Sequence, residues 1–169
     1  MLAAVAVLTN LAFSVGYDAE LRCPLWVQYD LEPHEVIATN RAPVQFRADP
    51  RVPESDVGAD YAGSRYDRGH MAPAADFNFD ADALGETYLL TNICPQDPAL
   101  NRGAWAAIER EVRTLAASGT VHVLTLPLFF SDDTPSVKRY AGRVRVPDGF
   151  DKIAWGWFGV RRWRVGNCK

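Results

Sequence analysis

Arg68-Gly69-His70 sets a guanidinium and an imidazole two positions apart in a chain that has three histidines in all. A neutral imidazole can take a proton from water near pH 7, and a guanidinium can fork onto two phosphate oxygens. Downstream come Asn92, within Thr91-Asn92-Ile93-Cys94-Pro95-Gln96, and Leu100-Asn101-Arg102-Gly103-Ala104-Trp105, which leads to Glu109. Cleaving a phosphodiester needs an activated water, stabilisation of charge at phosphorus and help for the leaving oxygen. These segments offer a base, a cation and oxygen ligands for a Mg²⁺ that would neutralise the leaving 3′ oxygen. A lone histidine is more often structural than catalytic; the combination is what points to chemistry.

The elements that must position these residues are partly legible. Pro98 to Ser118 reads as a helix, with Asp97 as N-cap, Pro98 in the first turn and Gly119 just past the end. Its apolar stripe is Trp105, Ile108, Val112 and Leu115; at about 100° per residue Asn101 falls within the stripe and Glu109 at its edge. An amide aimed at the buried side must find a partner, because leaving it unsatisfied costs about 1–3 kcal/mol. Val5 to Asp18 and Leu25 to Asp30 read as two strands joined by a turn, and Trp26, Gln28, Asp30 alternating with Leu25, Val27, Tyr29 implies one more buried face. Glu32 to Gly63, punctuated by prolines, reads as a long loop with a short strand near Val44 to Phe46, carrying Arg41, Arg47 and Arg51 toward the site. A helical turn is expected within Ala74 to Leu84, and strands at Tyr88 to Ile93, Val121 to Leu126, Arg143 to Val146 and Ile153 to Val160.

Length and composition fit one compact domain over 1–169, with the active-site core at about 60–118. At 48% hydrophobic and 23% charged residues, neither a disordered chain nor a membrane protein is favoured. The apolar run Leu2 to Leu8 is too short to span a bilayer and lacks the pattern of a secretory leader, so it reads as a buried first strand, and the compartment stays open. Cys23, Cys94 and Cys168 are widely spaced and read as separate buried or idle thiols. Neither they nor His34 and His122 have the spacing of a zinc site. From Lys138 to Lys169 nine Lys or Arg face two Asp, a segment of +7 on a chain of net −3. Its Trp155, Trp157, Phe158 and Trp163, interleaved with Arg161, Arg162 and Arg164, could stack on single-stranded nucleic acid or simply be strand core.

Asp67-Arg68-Gly69-His70-Met71-Ala72-Pro73, Leu90-Thr91-Asn92-Ile93-Cys94-Pro95-Gln96 and Leu100-Asn101-Arg102-Gly103-Ala104-Trp105 with Glu109 resemble the DNA/RNA non-specific endonucleases of the ββα-metal class, which include the endonuclease G type. Weaker echoes run from Phe13 to Asp18, Pro24 to Val27, Phe46 to Asp49 and Val146 to Asp148. The resemblance implies an α+β fold, a mostly antiparallel central sheet with helices packed on it. It also implies hydrolysis of DNA and RNA to 5′-phosphate and 3′-hydroxyl ends. By the same resemblance His70 is the general base, Asn101 the direct protein ligand of a hydrated Mg²⁺ that Mn²⁺ can replace, and Glu109 the holder of metal-bound water. Arg68 would stabilise the phosphate and Asn92 support the site by hydrogen bonds; Arg41, Arg47 and Arg102 are candidate substrate contacts. The expected partners are DNA and RNA and no membrane, with a homodimer and a protein inhibitor both compatible. The alternative is a relative that binds nucleic acid through the same fold without cleaving it.

Overall fold

The computed structural model describes residues 5–37, 43–129 and 140–167. In chain order the strands are β1 (Val5–Thr9), β2 (Phe13–Asp18), β3 (Cys23–Leu31), β4 (Asp67–His70) and β5 (Ile93–Gln96). They continue with β6 (Val121–Leu128), β7 (Tyr140–Ala141), β8 (Val144–Arg145), β9 (Gly149–Gly156) and β10 (Gly159–Gly166). Six of them form one antiparallel sheet in the order β1-β2-β3-β6-β9-β10. The expected α+β class and largely antiparallel sheet are therefore what the chain adopts.

The core lies between one face of this sheet and the helix that follows β5. Val15, Val27, Val123, Phe150 and Ala154 from the strands meet Trp105, Val112 and Ala116, all buried. The period-2 burial of β3 and β6 reflects a sheet packed on one side, as the alternation around Val27 implies. Cys23 and Cys94 are buried thiols as expected, but not separate ones: their Sγ atoms lie 2.8 Å apart. Cys168 lies outside the described residues.

Several expected boundaries shift. The stretch from Val5 to Asp18 is two strands around a tight reversal at Asn10, whose N–H donates to the Phe13 carbonyl. β1 is not buried: it is the sheet edge, and Val7 is 67% exposed. The strand expected at Val44 to Phe46 reduces to a single parallel bridge between Arg47 and Leu89. Leu90–Asn92 is a 3₁₀ turn, and the strand begins only at Ile93. The segment from Ile153 to Val160 spans a hairpin, with Val160 opposite Trp155, because Gly159 at φ +87° supplies the left-handed turn residue.

Two small elements carry the chemistry-bearing motifs. β4 pairs antiparallel with β5, with His70 opposite Ile93 and Asp67 opposite Gln96. Between them run a 3₁₀ turn at Ala74–Phe77 and helix α1 (Ala81–Thr87), which is capped by Asp80. After β5 the chain enters one helical rod: α2 (Pro98–Leu100), a π turn at Asn101–Trp105 and α3 (Ala106–Ala116). Asp97 caps its start as expected, accepting from Ala99 N and Leu100 N.

Candidate active site

Two strands and a helix present the site. The π turn decides where Asn101 points: a wider turn shifts the side chains on either side of it away from regular 3.6-residue spacing. Trp105 goes to the core, 1% exposed. Asn101 does not lie with it beneath the helix; it stands partly exposed at the rim of a cleft of about 420 Å³. Phe46, Tyr61, Tyr66, Asp67, Arg68 and Arg102 line the same cleft.

Asn101 Nδ2 donates to Asp67 Oδ2 at 3.0 Å. Arg102 donates to the same carboxylate through Nε at 2.8 Å and Nη2 at 2.7 Å. Asp67 thus links the strand motif to the helix motif, a role its position in the sequence did not disclose. Hydrogen bonds from Arg102, and secondarily from Asn101, hold its carboxyl below the usual range despite partial burial. With its nitrogen engaged, the Asn101 amide turns its oxygen elsewhere, and among the described residues nothing donates to it. No cluster of three His, Cys, Asp or Glu side chains suited to a metal exists among the described residues. A hard cation keeping most of its water, held by one amide oxygen, fits this donor set; a dehydrated cage or a thiolate zinc site does not.

Arg68 lies between the Phe46 and Tyr61 rings, 5.3 and 5.7 Å from their centroids. Its Nη2 donates to Gly58 O at 3.0 Å, while Nε is buried without a partner. The guanidinium is thus anchored at one corner, with Nε enclosed and the group as a whole lining the cleft. The His70 ring packs against Phe46 at 5.4 Å and edge-on to Tyr88 at 5.0 Å. No protein hydrogen bond to the ring is present among the described residues, and Nε2 is buried without a partner. A backbone carbonyl or asparagine partner for the ring, the usual way to fix a tautomer, is missing. Burial lowers the imidazole pKa to about 4, so the ring is neutral at pH 7.

Asn92 supports the backbone beside His70 rather than the ring. Its Nδ2 donates to Ala72 O and Thr87 O, each at 2.9 Å, and its Oδ1 accepts from Ala72 N at 2.9 Å. Glu109 sits at the edge of the α3 stripe, between buried Ile108 and Val112, and is not part of the cleft lining. Burial pushes its carboxyl up to about 7, opposed first by the charge of Lys152. Gln96, fully buried with neither amide atom partnered, lies flat over Gly69, where a Cβ would come within 2.0 Å of Oε1. Gly69 is therefore required by close approach, not by a turn.

The arginines divide. Arg102 lines the cleft, whereas Arg47 donates to Gly85 O and Arg51 is bound to Asp49 and Asn10. Arg41 lies outside the described residues. Within the described part of the basic C-terminal segment, Arg162 and Arg164 both pair with Asp151, and Arg161 with Glu111. Of its aromatics Trp157 is 62% exposed, and Trp155 stacks on His122. His122 in turn bonds Asp30 through Nδ1 at 2.7 Å.

A paired-strand and helix unit carries these residues: Arg68 and Asn101 line the cleft, while His70, two positions beyond Arg68 along β4, is not in its lining and packs against Phe46 and Tyr88. A family model for DNA/RNA non-specific endonucleases matches residues 3–157, and the chain belongs to that family. It is 36% identical to mitochondrial endonuclease G of Homo sapiens over 153 residues, 84% of this chain and 52% of that protein. To mitochondrial nuclease EXOG of Mus musculus it is 39% identical over 159 residues, 86% of this chain and 42% of that one. A crystal structure of the EndoG/EndoGI complex, a study of EndoG inhibition, superposes with TM-score 0.85 at 29% identity, covering 99% of this chain and 76% of the other. The chain thus spans about half the length of the curated relatives it matches. No helix among the described residues is long and apolar enough to cross a membrane.

Proposed function

We propose that this chain is a Mg²⁺-dependent, sugar non-specific endonuclease that hydrolyses DNA and RNA to 5′-phosphate and 3′-hydroxyl ends. The observation that carries this reading is His70: a neutral, partly exposed imidazole with no protein hydrogen bond to its ring among the described residues, so that the ring nitrogen other than the enclosed Nε2 can take a proton from water. A phosphate anion entering beside the ring raises its pKa from about 4 toward the working pH, which makes it a better base.

Arg68, anchored on Gly58 O and walled by two aromatic rings, lines the cleft and offers its guanidinium to a phosphate oxygen there. Asn101 offers its amide oxygen to Mg²⁺, with Asp67 fixing the amide from behind. When bound, the metal supplies positive charge at the leaving oxygen and acidic water to protonate it, and Mn²⁺ supplies the same. Glu109 orders water on the helix side of the site, Asn92 holds the backbone that carries His70, and Arg102 lies where a flanking phosphate would pass. Contacts of this kind are to phosphate and not to base edges, so little sequence preference follows. A protein inhibitor that covers the cleft is in keeping with the complex formed by the structural relative.

Digestion of supercoiled plasmid and of RNA with Mg²⁺ or with EDTA tests the reading. Metal-dependent loss of both substrates is expected. Binding without cleavage would instead place the chain among inactive relatives.

A further inference from the structure

Lys152 is the chain's most unusual charge. It sits on β9 on the core-facing side of the sheet and is fully buried. Its Nζ donates to Thr125 Oγ1 at 2.8 Å and to Met71 O at 3.2 Å, and Thr125 Oγ1 donates to the same Met71 carbonyl at 3.1 Å. The ammonium also lies 4.9 Å from the Trp105 ring centroid and 5.8 Å from that of Tyr29. Burying an ammonium is costly unless it is paired and hydrogen-bonded. Here the negative charges of Glu109 and Asp76 offset the burial that lowers its pKa. An apolar residue would fill this volume at lower cost, so the charge calls for another explanation.

Met71 directly follows His70. Three successive carbonyls are each held from a different direction: His70 O by Trp105 Nε1 at 3.3 Å, Met71 O by Lys152 and Thr125, and Ala72 O by Asn92. The His70 ring itself has no hydrogen-bond partner among the described residues, so its direction is set by its backbone and by the walls of Phe46 and Tyr88. We propose that Lys152 is a positioning residue for His70, bridging the central sheet to the Met71 carbonyl so that the peptide behind the imidazole cannot turn. The proposal rests on the reading of His70 as the base. A misplacement of about 1 Å can cost on the order of 10²-fold in rate, so this strut bears on catalysis without touching substrate.

The test compares Lys152→Met, which keeps length and loses the ammonium, with Thr125→Val and the double variant, each assayed well below its unfolding temperature. Lys152→Met should lower kcat by about 10- to 10²-fold with KM within about twofold, as expected when ground-state binding is untouched. The double variant should be little worse than Lys152→Met, because both side chains act through one carbonyl. In the metal-free protein without substrate, the His70 imidazole NMR resonances should shift while those of His34 and His122 stay in place. A folded Lys152→Met protein with unmoved His70 resonances overturns the proposal, whatever its kcat; so does a kcat within twofold of wild type. If Lys152→Met does not fold, Thr125→Val decides: an unmoved His70 signal and unchanged kcat reject the strut. If the wild-type chain cleaves nothing, the nuclease reading fails, and the NMR comparison alone still decides whether Lys152 orients His70.

Discussion

Asp67 and Asn101 are joined by one hydrogen bond of 3.0 Å, from an amide nitrogen to a carboxylate that also receives two donors from Arg102. On the proposed function, the bond fixes which end of the amide is offered to the metal. Replacing Asp67 by Ala frees the amide to rotate, and loss of such a support typically costs about 10- to 100-fold in metal affinity. The Mg²⁺ concentration giving half-maximal cleavage should rise by that factor, with much of the rate recovered at saturating Mg²⁺. An unchanged Mg²⁺ dependence would show that Asp67 does not orient the ligand.

His70 carries a pH signature in stability as well. Its pKa is near 6.5 when unfolded and is lowered to about 4 by burial. Between those values the unfolded chain binds the extra proton, so stability is fully present above about pH 6.5 and is lost as pH falls toward 4, by up to about 3 kcal/mol. Urea midpoints measured from pH 7 to pH 4 should fall less steeply in His70→Gln than in wild type. Parallel curves would mean that His70 is not buried neutral.

On the proposed function, Glu109 sets the acid limb of the rate profile. Burial raises its carboxyl to about 7, against the opposing charge of Lys152. If the carboxylate is the working form, kcat/KM, which reports the free enzyme, falls as pH drops below about 7, above the pH near 4 at which His70 of the substrate-free chain is protonated. A divalent cation nearby favours the ionised form, so added Mg²⁺ should move the limb to lower pH, and Glu109→Gln should lower the rate and remove the limb. A limb centred near pH 4 in the wild type, unaffected by Mg²⁺, would assign acid inactivation to His70 instead.

Gly69 and Gln96 test the packing behind the site. A Cβ at position 69 meets the Gln96 amide at 2.0 Å, and Gln96 is fully buried and has no room to withdraw. Gly69→Ala should cost about 1–3 kcal/mol, the usual range for overpacking. The Gly69→Ala, Gln96→Ala double variant should recover part of the loss in denaturant midpoint. Equal midpoints for Gly69→Ala and wild type would show that the amide moves aside freely.

What could be foreseen from the sequence follows from how local each cause is. The helix start is written in Asp97-Pro98, and the one-sided sheet in the alternation around Val27; both are near-neighbour effects. His70, Arg68 and Asn101 stand in short segments that resemble the family's motifs, and that resemblance is what singles them out. The π turn has no such mark, because an extra residue per turn looks the same in sequence as a regular one, and regular spacing puts Asn101 on the core stripe. Nothing near Asp67 in the chain marks its partners, because Asn101 and Arg102 reach it from the helix more than thirty residues away. Lys152 is hidden among nine basic residues of the C-terminal segment, and only the register of β9 against β6, with Lys152 opposite Thr125, separates this buried ammonium from its surface neighbours.

The central claim is that His70 is the base, and the rate of supercoiled plasmid nicking by His70→Ala at saturating Mg²⁺ tests it most directly, with circular dichroism verifying the fold. Removal of a general base predicts a loss of about 10²- to 10⁴-fold in a protein whose secondary structure matches wild type. Nicking within a few-fold of wild type by that folded variant would contradict the account.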